Sequence, residues 1–211
     1  MSRRIQKEAH TWRQLIRAAH ERQAVFQEGA APNTLHPPSV CIEHTLERLL
    51  HWREGRALAA DHPAVLNDKC LPTWNVDGQQ AEQVRDADDV LGGIMEVLTP
   101  EGSYYWVDLA DIENLTLAPF TKPLDRLWRD AKLTLVADKT PNGKTEYRVF
   151  VPLIYPQLEP NESAQVGRIT NWVQAHGQVR GQGLKMFWLN ENSHHLYDCG
   201  CIQAVKENVH A

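Results

Sequence analysis

The densest group of side chains that could bind a metal ion lies near the carboxyl terminus, where residues 194–201 read HHLYDCGC. Imidazole, carboxylate and thiolate groups are the ligands that zinc prefers. The spacing does not match a zinc finger, because adjacent histidines on a strand point to opposite faces and no second CxxC or HxxxH pair is available. We favour a hairpin turn with polar side chains. The alternative is a metal-binding protein or small hydrolase that uses His194, His195, Cys199 and Cys201.

A second group is acidic, with Asp86, Asp88 and Asp89 followed by Glu96 across a Gly92-Gly93 pair. Carboxylates at this density could bind a hard cation or act as paired acid and base. Their spacing does not fit a calcium-binding loop, which needs alternate acidic ligands and a closing glutamate in register. Aspartates before an apolar strand also accept hydrogen bonds from turn amides, and we prefer that structural interpretation.

No motif of a familiar catalytic nucleophile is present, since the sequence has no G-x-S-x-G, S-x-x-K, Walker loop or H-E-x-x-H. Gly181-Gln182-Gly183 is a lone G-x-G that precedes a predicted strand, which does not suit a dinucleotide site. A dyad between Cys70 or Cys199 and a distant histidine stays open, although no pattern favours it. We therefore predict a protein that is not an enzyme and needs no cofactor.

Composition indicates an ordinary globular chain, with 42% hydrophobic and 23% charged residues over 211 residues. The net charge of −5 argues against a nucleic-acid binder, which usually carries a basic face. The sequence has no apolar run long enough to span a membrane and no apolar segment near its start that would resemble a secretory signal. Four unevenly spaced cysteines do not suggest a disulfide scaffold. We expect a cytoplasmic protein that does not bind membranes.

The amino-terminal part of the sequence is predicted to be helical. Apolar residues three or four apart predict a helix from Ile5 to about Gln27 and a second from about Val40 to Arg53, with a short third helix at 57–60. Proline and glycine punctuate the weaker pattern that follows. We therefore predict a helical segment over 1–62 and a linker, with at most one strand, over 63–85.

The remaining residues, 86–211, are predicted to form a mainly β domain with short helices. β-Branched and aromatic runs predict strands at 90–98, 104–107, 112–117, 133–136, 147–151, 186–189 and 196–197. Pro123 suits a first helical turn, so a short helix is expected over 124–129, and another over 163–168. The predicted fold class is α+β, with amino-terminal helices packed on a mainly antiparallel β-sheet or small barrel.

The seven tryptophans are the side chains best suited to anchor a protein interface. Those within apolar runs are expected in the core: Trp106, Trp128 and Trp188. Others have polar or charged neighbours, so they could contact a partner, although packing between helix and sheet is the competing interpretation. Because Trp and Arg are enriched at interface hot spots, the candidate protein-interaction residues are Trp12, Trp52, Trp172 and Arg180.

Several blocks of residues occur in an order that is characteristic of one protein family. They are DADDVLG at 86–92, EVL at 96–98, GSYYWV at 102–107, PLDRLWR at 123–129, FVPLIYP at 150–156, TNW at 170–172 and VRGQG at 179–183. Upstream, WRQLIRA at 12–18 and RQAVF at 22–26 fit the same pattern. In these blocks the chain resembles the ImpE/TagJ (SciE-type) accessory family of bacterial type VI secretion systems.

The resemblance implies a non-enzymatic adaptor in a virulence-associated bacterial machine. The implied partners are the small subunit of the contractile sheath and the ClpV-type AAA+ ATPase that recycles the sheath. Family members carry additional amino-terminal helices of tetratricopeptide type, which we expect this chain to lack. Residues 181–185 read GQGLK where relatives have Gly-x-Gly-Gln-Arg, so a shared binding site at this turn is not expected. A structural subunit that acts only as an oligomer is a further hypothesis.

Overall fold

The computed structural model describes residues 3–64, 71–137, 143–157 and 162–205. Helix α1 spans Arg3–Gln23 and continues as a π-helical turn over Ala24–Glu28. This agrees with the helix predicted from Ile5 to about Gln27. Gly29 ends the turn with a left-handed backbone, φ 84°, which glycine adopts without steric cost.

Helix α2 spans Val40–Arg53, as the sequence predicted, and begins at Ser39, whose Oγ accepts a hydrogen bond from the Ile42 amide at 3.3 Å. The short third helix predicted at 57–60 is wrong, because the segment forms coil and turn. The Leu58 amide instead donates a hydrogen bond to the His176 carbonyl at 3.1 Å. A tertiary hydrogen bond thus takes the place of a helical one.

Strands occupy most of the remaining described residues. In chain order they are β1 (Asn33–Thr34), β2 (Trp74–Val76), β3 (Gln79–Ala81), β4 (Arg85–Asp86), β5 (Ile94–Leu98), β6 (Tyr104–Asp108), β7 (Ile112–Leu117), β8 (Trp128–Leu135), β9 (Glu146–Pro152), β10 (Thr170–Ala175), β11 (Gln178–Gly183), β12 (Met186–Leu189), β13 (Asn192–His195) and β14 (Cys201–Ala204). The hairpin of β5 and β6 confirms the prediction for that part of the chain.

One large sheet dominates, in the order β1-β6-β5-β9-β8-β7-β14-β2-β3, beside a sheet β13-β12-β4 and the hairpin β10-β11. Every pairing in the large sheet is antiparallel except β1 with β6. Within the described ranges no pairing joins β1 to β3, so the sheet is open. The fold class α+β is confirmed, and the alternative of a small barrel is wrong.

Strands β2 and β3 lie within residues 63–85, which the sequence assigned to a linker. They extend the large sheet through β14, so this range contributes two strands where the sequence suggested at most one. The division of the chain into segments at residues 62 and 85 remains a prediction.

Three short elements differ from their predictions. The helix expected over 124–129 is a 3-10 helix over Pro123–Arg126, because Trp128 already pairs with Pro152 at the start of β8. The strand expected at 196–197 is a 3-10 helix over Leu196–Asp198. The helix α3 covers Glu162–Gln165, a shorter range than the predicted 163–168.

The hydrophobic core lies on both faces of β5 and β6. Helices α1 and α2 contact both strands, and Ile94 and Leu98 face them, while Met95 and Val97 belong to the core on the opposite face. Because side chains alternate along a strand, this register also turns Glu96 towards α1. None of the helices in the described ranges is long and apolar enough to cross a membrane.

Candidate functional site

A groove runs along one flank of α1 and consists of two clefts that share Trp128. The first cleft, of about 270 Å³, is bounded by the end of α1 and by residues 152–157. The second, of about 340 Å³, is bounded by the start of α1, by residues 118–125 and by Phe150. We call the two clefts together the α1 groove. Its lining is mixed, with apolar and aromatic side chains between charged ones.

One of the tryptophans predicted to bind a partner lines this groove, and a second packs against a residue that lines it. Trp12 lines the second cleft and is 43% exposed. Trp172 is 42% exposed and packs edge-on against Tyr155, which lines the first cleft, at 5.9 Å between ring centroids. Trp12 therefore lines the α1 groove directly, whereas Trp172 contacts it through Tyr155.

The other two predicted residues contact each other below the surface. The Arg180 guanidinium lies 5.3 Å from the Trp52 ring centroid, and the Trp52 ring packs edge-on against His176 at 5.6 Å. Trp52 is half-buried, and Arg180 has no exposed surface. Arg180 instead donates its Nε proton to both carboxylate oxygens of Asp88, at 3.0 and 2.7 Å.

The acidic residues selected from the sequence form part of a buried ionic cluster beneath the groove. Asp88 accepts hydrogen bonds from the amides of Val90, Leu91 and Gly181, which agrees with the turn interpretation. Asp89 likewise accepts a hydrogen bond from the Val179 amide at 2.6 Å. These bonds fix the turn after β4 against β11.

Glu96 forms the centre of the cluster. Its carboxylate accepts two hydrogen bonds from Arg22, at 2.7 and 2.8 Å, and one from the Tyr104 hydroxyl. The Lys185 ammonium lies 2.6 Å from Glu96 and 3.6 Å from Asp86. Asp86 also accepts a hydrogen bond from the Tyr155 hydroxyl at 2.7 Å.

Three acids and three bases therefore balance in charge, and we call these six residues the buried charge network: Asp86, Asp88, Glu96, Arg22, Arg180 and Lys185. Arg22 keeps 14% of its side chain exposed, whereas the others are almost completely enclosed. Buried charges are tolerated when each is paired and hydrogen-bonded. Each member of the network has an oppositely charged partner, although Oδ2 of Asp86 and both terminal nitrogens of Arg180 make no hydrogen bond to the described residues.

Burial and pairing shift the pKa values in opposite directions within the network. Burial raises the pKa of Asp86 to about 6, although Lys185 opposes the shift. Burial would also raise the pKa of Glu96, but the positive charges of Arg22 and Lys185 outweigh it and hold that pKa below its ordinary value. Burial and the Glu96 carboxylate raise the pKa of the Tyr104 hydroxyl well above its ordinary value.

Arg22 and Tyr155 connect the network to the groove, because both line the first cleft. Burial works against the charged Arg22 guanidinium, but Glu96 outweighs it and raises the pKa. Burial, together with Asp86, raises the pKa of the Tyr155 hydroxyl. Neither group at the cleft therefore exchanges a proton near neutral pH, and their role is to hold α1 and the segment after β9 in place.

The two glycines of the G-x-G motif serve close packing in this region. A side chain at Gly181 would place its Cβ 2.2 Å from the Tyr155 ring. Gly183 has φ 94°, and a Cβ there would lie 1.8 Å from the Ile169 carbonyl oxygen. Both positions therefore need glycine for structural reasons.

Arg22, Lys185, Tyr104 and Tyr155 also belong to this site, and none of them was among the residues predicted from the sequence. One signal was present: Arg22 occupies a position on the apolar face of α1, four residues after Ala18 and four before Phe26. A charged side chain at a buried helix position needs a partner of opposite charge. That partner could not be identified, because Glu96 lies 74 residues away along the chain.

The four residues of the carboxyl-terminal metal alternative do not converge. His194 is exposed, whereas the Cys199 thiol is buried and donates to the His195 carbonyl at 3.6 Å. Burial raises the pKa of Cys199 to about 11, which disfavours the thiolate that zinc requires. Among the described residues, a different group supplies three potential ligand residues whose ligand atoms lie within 4.8 Å of one another. Cys70, considered for a dyad, lies outside the described residues.

The molecule is thus an α+β protein with an open, mainly antiparallel sheet and a helix-bounded groove above a balanced ionic cluster. A family model described as ImpE protein matches residues 78–203, and the chain belongs to the ImpE family. This confirms the resemblance seen in the sequence.

One relative is the type VI secretion system accessory component TagJ of Pseudomonas aeruginosa strain PAO1, which is 26% identical over 183 residues. The match covers 84% of this chain but only 61% of TagJ. The crystal structure of protein VPA1032 from Vibrio parahaemolyticus superposes with a TM-score of 0.78 at 23% identity, covering 95% of this chain and 74% of that one. The superposition supports the fold described above.

Proposed function

We propose that this chain is a non-enzymatic accessory component of a bacterial type VI secretion system and that it binds protein partners through the α1 groove. The observation that carries the proposal is a pair of half-exposed tryptophans: Trp12 lines the second cleft, and Trp172 packs against Tyr155, which lines the first. Large exposed aromatic side chains beside clefts are typical anchors of protein interfaces. Membership of the ImpE family and similarity to TagJ indicate the secretion system.

The charges near the groove favour binding over catalysis. A general acid or base works best with a pKa near the working pH and with access to the reacting atoms. Asp86 has a pKa of about 6, but it has no exposed surface and lies behind the Tyr155 hydroxyl. Its proton therefore has no direct route to a molecule in the cleft.

The partners we propose are the sheath small subunit and the ClpV-type ATPase of the same system, which the family resemblance implies. An amphipathic helix or an extended segment from the sheath subunit suits the α1 groove, because the groove offers apolar cleft walls with charges at the rim. The rim includes Lys122 paired with Glu8 at 3.2 Å and Arg148 paired with Asp130 at 2.6 Å. Binding would take place in the cytoplasm.

The test is a binding titration of this chain against the purified sheath small subunit and, separately, against the ATPase. We expect Trp12→Ala and Trp172→Ala each to weaken the complex at least about tenfold, which corresponds to roughly 1.4 kcal/mol. Leu50→Ala is the matched control, because Leu50 is 44% exposed on α2 and lies outside the groove. The affinity of the Leu50→Ala variant for each partner should change less than about twofold.

Two results would contradict the proposal. The first is no association with either partner at tens of micromolar protein. The second is a complex whose affinity is the same for both tryptophan variants and for the Leu50 control. Light scattering of the unbound chain, run alongside, would show whether self-association occupies the groove.

A further inference from the structure

Glu47, His51 and His62 bring together three potential metal ligands at a place that is separate from the α1 groove. One ligand atom from each residue lies within 4.8 Å of the others. Glu47 and His51 are one turn apart on α2, and a spacing of four residues puts both side chains on one face of a helix. His62 comes from the coil that follows the helix.

His62 is held against α2 by contacts on both of its sides. Its Nε2 lies 3.4 Å from the Glu47 carboxylate, and its ring packs edge-on against His51 with centroids 5.3 Å apart. The Ala64 amide donates to His62 Nδ1 at 3.2 Å, and the Ala64 carbonyl accepts from Arg48 at 2.7 Å. The coil residue is therefore fixed next to the two helical ligands before any ion binds.

His51 has a nitrogen that lacks a partner. Its Nδ1 is buried and makes no hydrogen bond to the described residues. A buried polar atom without a partner is destabilising, so this position favours a ligand. Coordination of a cation at this nitrogen would supply the missing interaction.

We propose that Glu47, His51 and His62 bind one zinc ion. Two imidazoles and a carboxylate are a ligand set that zinc accepts, with a solvent molecule in the fourth position. Bond lengths of about 2.0–2.1 Å place tetrahedral ligand atoms roughly 3.3 Å apart, so the present separations need only side-chain adjustment. The His62 and Glu47 side chains are 26% and 42% exposed, which leaves an entry path for the ion.

The Glu47 carboxylate is needed to balance charge in this site. The neighbouring Arg48 guanidinium is buried and contacts the same coil, and a second cation nearby is unfavourable unless an anion offsets it. Removing the carboxylate should therefore weaken zinc binding more than the loss of one ordinary ligand would suggest.

Zinc binding also has a consequence for a specific backbone group. When His62 accepts the Ala64 amide proton at Nδ1, its own proton is on Nε2, next to Glu47. Coordination through Nε2 requires that proton to move to Nδ1, so the hydrogen bond from the Ala64 amide must open. The Ala64 amide is thus an independent reporter of the site.

The test is a zinc titration of the metal-stripped chain against a chromophoric chelator, with cobalt as a spectroscopic substitute. We expect one equivalent of zinc, at least about 100-fold weaker binding in His51→Gln and in His62→Gln, and a larger loss in Glu47→Gln, because outer-shell partners alone contribute up to about 100-fold. Glu43→Gln and His44→Gln are matched controls one turn earlier on α2, and they should bind within about threefold of the wild type. The cobalt spectrum should lack thiolate charge-transfer bands, which excludes a site made by cysteines.

Circular dichroism checks that each variant is folded, and the partly exposed Glu47 position keeps the test valid if a histidine variant unfolds. Zinc should also shift the Ala64 amide resonance of the wild type. The proposal is overturned if the wild type binds less than one equivalent at 100-micromolar zinc. It is equally overturned if Glu47→Gln binds like Glu43→Gln, or if the Ala64 resonance stays in place when zinc is bound.

Discussion

Replacing Glu96 by glutamine removes one negative charge from the buried charge network and leaves the side chain nearly the same size. The amide oxygen still accepts the hydrogen bond from the Tyr104 hydroxyl. Arg22 and Lys185, however, lose the carboxylate that lies 2.7 and 2.6 Å from them. The amide nitrogen then takes the place of the oxygen that faces Arg22 and Lys185, so the change removes both the charge and the hydrogen bonds accepted there.

The size of the destabilisation depends on the partners that Arg22 and Lys185 retain in the variant. Arg22 retains the Ile154 carbonyl at 2.9 Å, and Lys185 retains Asp86 at 3.6 Å. Breaking a buried ion pair by removing one partner typically costs about 3–5 kcal/mol. We expect Glu96→Gln to lower the free energy of unfolding by about 4 kcal/mol. For a chain of this size that loss corresponds to a fall in Tm of roughly 8–16 °C.

The pH range of the effect follows from the sign of the pKa shift. Because its two cations depress the pKa of Glu96 in the folded protein, the stabilisation is fully present above the ordinary value of 4.5. It is lost only as the pH falls towards the folded pKa. The difference between the wild type and Glu96→Gln should therefore be constant between pH 7 and 8, above the range in which Asp86, the second partner of Lys185, ionises.

Urea unfolding followed by tryptophan fluorescence measures this difference. Glu101→Gln is the control, since Glu101 is exposed in the turn between β5 and β6, and its effect should stay within about 0.5 kcal/mol. A loss below about 1 kcal/mol for Glu96→Gln would show that the network does not hold α1 to the sheet. Equal losses of unfolding free energy in Glu96→Gln and Glu101→Gln would refute it as well.

Three further predictions concern the same region and the carboxyl-terminal cysteines. For Asp86→Asn, stability relative to the wild type should rise by about 2 kcal/mol from pH 4 to 7.5, because burial raises the pKa of Asp86 from 3.8 to about 6 and ionisation is then unfavourable; a flat difference would contradict this. Gly181→Ala should cost about 1–3 kcal/mol in urea unfolding, since its Cβ would lie 2.2 Å from the Tyr155 ring, and an unchanged midpoint would contradict it. Cys199→Ser should leave the number of fast-reacting thiols at pH 8 unchanged, because burial raises the Cys199 pKa to about 11; losing one fast thiol would refute burial.

The elements predicted correctly from the sequence are those whose signals are local. Helices α1 and α2 follow from residues three or four apart, and the hairpin of β5 and β6 follows from two apolar runs around a turn. The short element after Pro123 was predicted incorrectly because a distant strand decides it. Trp128 pairs with Pro152, and this pairing ends the helical turn at Arg126.

The candidate site shows the same limit more clearly, because its contacts join residues that are far apart in the sequence. Trp12 and Trp172 were selected because of their polar neighbours; Trp12 is exposed in the groove, and Trp172 is exposed beside Tyr155. Arg180 was selected because arginine is enriched at interface hot spots, but its place on a strand facing Asp88, 92 residues away, puts it in the interior. Periodicity indicates which side of an element a residue occupies, but it does not show which charge faces it.

The buried charge network would keep the groove rigid for the partner proposed above. Arg22 belongs to α1 and lines the first cleft, and it is fixed by Glu96 on β5 and by the Ile154 carbonyl after β9. One side chain therefore joins both walls of that cleft to the sheet below. A partner that inserts an apolar side chain there meets walls that are already in position, so little ordering cost opposes binding. If Glu96→Gln weakens partner binding while Leu50→Ala does not, the network acts by holding the groove in shape.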